Sequence, residues 1–261
     1  MTRASSWYVA EYRFRNMWKW KFDILVYGLG HPVLYLTAIG LGVGTLVDHH
    51  TGARGIAGVS YLVFLAPALL ATATMQGAQD EVTFPVLSGF IWAKLFFGMR
   101  ATALTSRQIA NGVLLASIAR TVFTAMCYWL VLFGFGAVTL ASAITLIPAS
   151  IFGAVSFSTF VLWIASTVVH DDGFFALFGR LVITPMFLFS GTFYPLSTLP
   201  ITVRWIGWIS PLWHSTELGR ALSFGAGISA PGFWVHVTFL AAVAGTGLML
   251  AYRQFERRLS A

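Results

Sequence analysis

Long apolar runs separated by short polar stretches dominate this chain. A hydrocarbon layer about 30 Å thick is crossed by about 20 apolar helical residues. Runs of that kind lie near 24–47, 61–79, 111–135, 140–169, 174–193 and 232–252. The pattern predicts an all-α polytopic membrane protein with six transmembrane helices. The first run is about twice as long as the apolar core of a cleavable signal, so it is expected to stay in the membrane.

Three stretches break the pattern. In SSWYVAEYRFRNMWKWKF, the residues Trp7, Ala10, Phe14, Met17 and Trp18 share one helical stripe, while Arg13, Arg15 and Lys19 lie mostly elsewhere. One reading is an amphipathic helix at the membrane interface, with its cations near anionic headgroups. The other is a charge cluster that only sets orientation.

The connection after the second run, QDEVTFPVLSGFIWAKLFFGMRATALTSRQIANG, is too apolar for a flexible linker. It is also far longer than the usual two to eight residues of a bundle connection. Thr105 to Gln108 has the T-x-x-Q form of a capping box, in which cap and third residue exchange hydrogen bonds. The box predicts a short surface helix available to a partner.

The third stretch, FLFSGTFYPLSTLPITVRWIGWISPLW, is apolar but interrupted by Pro195, Pro200 and Pro211. Each proline removes a backbone donor and crowds the preceding turn. Ile201, Trp205, Trp208 and Ile209 fall on one helical face. Ser210-Pro211 reads as N-cap and first residue of a second short helix, in which Glu217 and Arg220 can pair at i, i+3. Irregular backbone facing lipid leaves amide groups unpaired, so this segment is expected to pack as a re-entrant wedge or to lie at the interface as an anchoring hairpin.

Composition supports the membrane reading. Of 261 residues, 57% are hydrophobic and only 10% charged, against about 25% charged in soluble domains. The mean hydropathy is +0.78. The net charge of +7 is spread between apolar runs rather than concentrated on a polar domain, which argues against a nucleic-acid partner. Eleven cations fall on the side of the termini: Arg3, Arg13, Arg15, Lys19, Lys21, Lys94, Arg100, Arg107, Arg253, Arg257 and Arg258. Three fall opposite: Arg54, Arg204 and Arg220. Positive charge stays cytoplasmic, so both termini are expected there. Thirteen arginines against three lysines, with abundant Ala and Gly, point to a GC-rich bacterial genome.

Candidate chemistry is sparse. Cys127 is the single cysteine and lies in an apolar run. The six histidines include no H-E-x-x-H pair, and Asp48-His49-His50 reads as a solvated loop rather than a metal site. Asp171-Asp172-Gly173 reads as a tight turn. No catalytic or metal residue is assigned. Arg120 and Arg180 fall within spans, where a charge either faces a partner or pathway or snorkels to the interface. Gly28, Gly30, Gly40, Gly42 and Gly44 make the first span suited to close helix approach.

These features together resemble a family. HPVLYLTAIGLGVG is similar to the first span of type-two ABC transporter permeases, membrane subunits that export drugs, glycolipids, polysaccharides and nodulation lipo-oligosaccharides. ATALTSRQIANG resembles the family stretch leading into the third span, although Ala103 replaces a usual proline and Arg107-Gln108 replace common acidic residues. LFSGTFYPLSTLPITVRWIGWISPLWHSTELGRAL resembles the signature before the last span, with Ser210 where Asn is frequent.

The resemblance covers essentially the whole chain, and it implies a single permease domain over 1–261. Its parts are an interfacial helix (1–23), spans one to five (24–193), exterior re-entrant helices (194–231), span six (232–252) and a cytoplasmic tail (253–261). It implies a cytosolic ATPase partner contacted by a coupling helix at Thr105, Ser106, Arg107, Gln108 and Ile109, together with Arg13 and Arg15. A second permease subunit and membrane lipids are further partners. Arg120, Arg180, Gly191, Pro195, Pro200, Trp205, Trp208, Pro211 and Glu217 become candidates for the pathway or the interface between subunits.

No G-x-x-x-x-G-K-[ST] sequence occurs here, so ATP and magnesium are expected in the partner and no cofactor in this chain. The cargo is expected to be a drug or glycolipid leaving across the bacterial cytoplasmic membrane, or alternatively a polysaccharide. A membrane-embedded transferase acting on lipid-linked substrates is the reading from a different class, and it lacks a convincing cluster of carboxylates or histidines.

Overall fold

The structure, a computed structural model, describes residues 4–51, 55–170, 173–225 and 229–260. Arg3 and Arg54 of the charge count and the Asp171-Asp172 turn lie outside the described residues. Every named element among the described residues is helical. In chain order they are α1 (Ala4–Lys19), α2 (Lys21–His50), α3 (Tyr61–Trp92), α4 (Leu95–Arg100), α5 (Ser106–Gly134), α6 (Leu140–Thr167), α7 (Phe174–Phe189), α8 (Ile201–Trp208), α9 (Pro211–Phe224) and α10 (Ala230–Ser260).

Five of these, α2, α3, α5, α6 and α10, are long and apolar enough to cross a membrane. The expected fifth span is shorter. α7 falls below that length, and its middle loosens into a π-helical turn at Gly179–Ile183 just before Pro185. Pro185 offers no N–H to the preceding turn, and in the π turn the Gly179 carbonyl accepts from both the Thr184 amide and the Thr184 hydroxyl (3.0 Å).

Contacts define two ends of the bundle. At the first end, Arg258 near the close of α10 donates to the Ser166 and Val168 carbonyls at the close of α6 (2.9 and 2.7 Å). Phe90 of α3 meets Phe96 of α4 and Phe255 of α10 edge to face there, and those two rings lie tilted to each other. Phe175, at the start of α7, meets Phe84 of α3. At the second end, the Tyr61 amide donates to Asp48 (2.9 Å), Thr145 of α6 reaches the Leu222 carbonyl (3.4 Å), and Ser190 donates to Ser210 (2.7 Å). α6 and α10 therefore run in the same direction, and α7 carries the chain back between the two ends.

Several boundaries differ from the sequence expectation. The capping box at Thr105 and Gln108 is formed in full, yet it opens the 29-residue α5 rather than a short surface helix. Local capping chemistry is the same at either kind of helix start, so the box alone could not set the length. α10 likewise continues to Ser260, so the expected tail extends the last helix, with Phe255 and Leu259 buried in the core. In the glycine-rich α2, Gly40 faces Leu62 of α3 within this chain, whereas Gly42 has open space beside it.

α1 lies against the first turns of α5. Val9 and Ala10 are buried there, while Trp7 and Trp18 of the expected stripe are exposed. The contact depends on Gly112, where an added Cβ would stand 2.4 Å from the Val9 Cβ and 2.8 Å from the Ser6 carbonyl oxygen. Changing Gly112 to Leu is expected to lift α1 from α5 and to cost about 1–3 kcal/mol, as overpacking does. Faster proteolysis within α1 and a lower thermal midpoint in detergent would register it; an unchanged digestion pattern would refute the contact.

Candidate functional site

The first end is built around a buried acid. Pro85 cannot donate to the carbonyl of Glu81 one turn back, and the helix bends at Thr83 (φ −98°, ψ −93°). Arg13 of α1 occupies the freed position. Its Nη2 donates to the Glu81 carbonyl (3.4 Å) and to its carboxylate (2.5 Å). Arg120, from the middle of α5, donates to the other Glu81 oxygen and to Asp80 (3.2 Å each). With side-chain exposures of 6% for Glu81 and 10% for Arg13, the pair is taken out of water, where each ion needs the other.

From the stripe, Arg13 is expected off the apolar face with its cation near lipid headgroups, and Arg120 either at a partner or pathway or at the interface. Packing instead pairs both with α3: Arg13 is not a free surface cation, and Arg120 joins a charge network with Asp80 and Glu81. Sequence reasoning passed over Asp80 and Glu81, although an acidic pair closing one span opposite an arginine inside the next was the available signal. Beside this network, a cleft of about 470 Å³ opens between α2, α3 and α5.

The coupling candidates divide by exposure. Thr105 and Arg107 are exposed, and Arg107 lies 3.8 Å from Glu256 of α10. Gln108 donates its amide to Thr105 and accepts in return. Arg15 is exposed and paired with Glu11 (2.7 Å). Ser106 is buried, and Ile109 is fully buried in the main core. Ile109, expected on the coupling surface, therefore packs the core: the residue four after the cap falls on the inner face of a helix longer than expected. Arg180 is exposed on the π-helical turn of α7.

At the second end the proline-rich stretch folds as two short helices. Pro200 precedes α8, and Ser210 caps α9 by accepting from the Leu212 amide (3.2 Å), with Pro211 at its first position. A single residue ties the region down. Arg220, only 2% exposed, donates to Glu217 (2.9 Å), to the carbonyls of Gly191 (2.8 Å) and Thr192 (3.4 Å), and to the Phe64 carbonyl of α3 (3.4 Å). Its guanidinium also stands 3.8 Å over the Phe64 ring, an attractive placement for a desolvated cation. Gly191 permits this because its φ of +71° turns the chain sharply after α7. Arg220 had entered the charge count as an exterior cation; it is an interior clamp.

Pro195 is half-buried before a 3₁₀ turn, Leu196–Thr198, whose Leu196 packs under Gly207. The expected stripe of Ile201, Trp205, Trp208 and Ile209 is the exposed face of α8 and its end, with Trp205 53% and Trp208 47% exposed. α9 meets α10 through two histidines. His214 Nε2 bonds to the Trp208 carbonyl (2.9 Å), so that nitrogen carries the proton. His214 Nδ1 then accepts from His236 Nδ1 (2.8 Å). Asp48, His49 and His50, read as a loop, end a helix, and His50 bonds to the Leu46 carbonyl.

Comparison with known proteins adds a family pattern. The pattern described as ABC-2 type transporter matches residues 5–224. Nodulation protein J of Rhizobium leguminosarum bv. viciae is 26% identical over 248 residues, covering 94% of this chain and 92% of that protein. Nodulation protein J of Rhizobium meliloti (strain 1021) is 25% identical over 260 residues, covering 98% and 95%. The Bradyrhizobium diazoefficiens protein of the same name is 26% identical over 248 residues, covering 94% and 91%.

Removing one member of the buried ion pair strands the others. Glu81→Ala is expected to cost about 3–5 kcal/mol, read as a lower thermal midpoint in detergent, whereas Arg13→Met with Glu81→Leu recovers much of it; full additivity of the two changes would deny the coupling. The histidine contact gives a pH dependence. Burial first, and the neighbouring His236, push the His214 pKa down to about 4 from 6.5. The unfolded chain therefore takes up a proton that the folded chain refuses, and stability falls as pH drops from about 6.5 toward 4. A thermal midpoint that declines over this range, with a shallower decline in His214→Gln, is the expected result.

Proposed function

Because the chain belongs to the ABC-2 type transporter family, we propose that it is the permease subunit of an ATP-driven exporter moving an amphiphilic or hydrophobic cargo. The match over residues 5–224 carries this reading. The chain is a multi-pass membrane protein with five long apolar helices. In our reading α7 is a sixth crossing, shortened by its π turn, because it alone returns the chain between α6 and α10. Both termini then lie on the cytoplasmic side of the bacterial cytoplasmic membrane, where eleven of the counted cations fall.

The reading divides the domain as the sequence did: an interfacial helix, spans, an exterior re-entrant pair and a last span. The first end, with α1, α4, the start of α5 and the end of α10, faces a separate cytosolic ATPase that binds ATP and magnesium. The chain's three lysines, Lys19, Lys21 and Lys94, do not follow glycine, so no phosphate-binding loop is available in its own sequence. At the second end, α8 and α9 close the exterior side of a pathway shared with a second permease subunit. The exposed Trp205 and Trp208 sit at the membrane interface or against that subunit.

The relatives' description as nodulation proteins fits an amphiphilic, glycolipid-like cargo, since the family includes exporters of nodulation lipo-oligosaccharides. A polysaccharide is the second reading within the class.

Purification from native membranes in mild detergent is expected to bring down an ATPase subunit whose hydrolysis responds to amphiphilic cargo. A permease that purifies without an ATPase from membranes active in export would defeat the proposal.

A further inference from the structure

α10 carries two parallel stripes toward the first end, and only one of them is packed. Gly247, Ala251, Phe255 and Leu259 recur at four-residue spacing and are buried within the bundle. Beside them Gly245, Leu248, Met249, Tyr252 and Arg253 fall at i, i+3, i+4, i+7 and i+8, a second face. This second face and Arg107 of α5 line a groove of about 350 Å³. Gly245 to Arg253 spans about 12 Å of helix, so the groove runs from the middle of α10 to a mouth at the two arginines.

The groove is apolar along its length and cationic at its mouth. Met249 is 47% exposed, and a Cβ added at Gly245 would meet nothing within 4 Å. Arg253 is exposed and has no ion pair or side-chain hydrogen bond among the described residues. Arg107 meets Glu256 only at 3.8 Å, and both side chains are more than half exposed, so that contact is weak and screened. Arg257, one turn beyond Arg253, adds a further cation, while Arg258 turns away to the α6 carbonyls. Tyr252 donates its hydroxyl to the Asn111 side chain of α5, which holds the two walls together beside the arginines.

We propose that this groove holds a phospholipid with an anionic headgroup, its phosphate between Arg107 and Arg253 and one acyl chain along Gly245, Leu248 and Met249. A guanidinium offers a planar fork that matches phosphate oxygens, and arginines at a membrane surface favour anionic lipid. A zwitterionic headgroup brings a cation of its own into a site that already has surplus positive charge. An acidic protein surface also complements the arginines, yet it leaves the apolar half of the groove uncovered at membrane depth. The lipid joins the start of α5 to α10 independently of the Arg107–Glu256 contact. The inference rests on the chain crossing a membrane and not on the exporter reading, since a lipid binds without an ATPase.

The test uses the full chain in phosphatidylcholine nanodiscs doped with one of two probes, a phosphatidylglycerol or a phosphatidylcholine carrying the same photoreactive acyl chain. The phosphatidylglycerol probe is expected to label the segment holding Leu248 and Met249. It should exceed the phosphatidylcholine probe there by about fivefold. Arg107→Gln with Arg253→Gln should abolish that excess, and Gly245→Trp should reduce labelling of the segment by filling the groove. Arg257→Gln, outside the groove, should keep the excess. Labelling of the other helices, unchanged across the variants, reports that each is folded. Equal labelling by the two probes, an excess that survives the double change, or one that Arg257→Gln removes equally would each overturn the site. So would loss of a copurifying ATPase in the double variant with lipid labelling unchanged, which gives the arginines to a protein partner. Failure of the lipid site leaves the exporter reading standing, and a permease without an ATPase leaves the lipid site standing.

Discussion

At several backbone breaks among the described residues, an arginine donates to the carbonyls left behind. Arg13 takes the Glu81 carbonyl that Pro85 releases. Arg220 takes Phe64, Gly191 and Thr192, and Arg258 takes Ser166 and Val168. Arg204 takes Ser197 and Leu199 (2.5 and 2.6 Å), and Arg100 takes Leu104 (3.2 Å). Away from water an unpaired carbonyl has no alternative partner, and a guanidinium supplies five donors on one rigid fork where an ammonium supplies a compact point. The excess of arginine over lysine thus has a structural use beyond orienting the chain: it permits proline-broken, apolar segments to exist at the ends of the bundle.

Two of these clamps fall on opposite ends of α3. Arg13 and Arg120 hold its Glu81 at one end, and Arg220 holds its Phe64 at the other. α3 is also the most enclosed of the long helices, flanked by α5, α6 and α9. In the exporter reading, a displacement of α1 by an ATPase is passed to α3 through a buried ion pair that cannot stretch without exposing charge. In the same reading α3, which packs against α9, passes it on to α9 and through α9 to α8. The histidine contact between α9 and α10 ties that moving pair to the last span.

The candidate site shows how local chemistry and packing share the outcome. The Thr105 box, the Ser210 cap with Pro211, and the Glu217–Arg220 pair all form as their spacing dictates, because each involves partners within four residues. The same locality explains the failures. Nothing within four residues of Thr105 says that its helix runs to Gly134, nor that Ile109 faces inward. The α1 stripe was drawn from apolar side chains alone, yet the face that packs carries Arg13, since Glu81 waits opposite it on another helix.

Class, the number of apolar runs, the distribution of positive charge and the family resemblance were all determined by the amino-acid sequence by itself. Those depend on composition and on periods of a few residues, which the bilayer reads directly. Only the tertiary structure decided that Arg220 is a clamp and not a surface cation, that Arg120 serves α3, that His214 and His236 meet, and that a cleft opens between α2, α3 and α5 beside Arg120. Each of these depends on atoms many residues apart being brought within about 3 Å, and a hydrogen bond of that length carries no trace in sequence spacing.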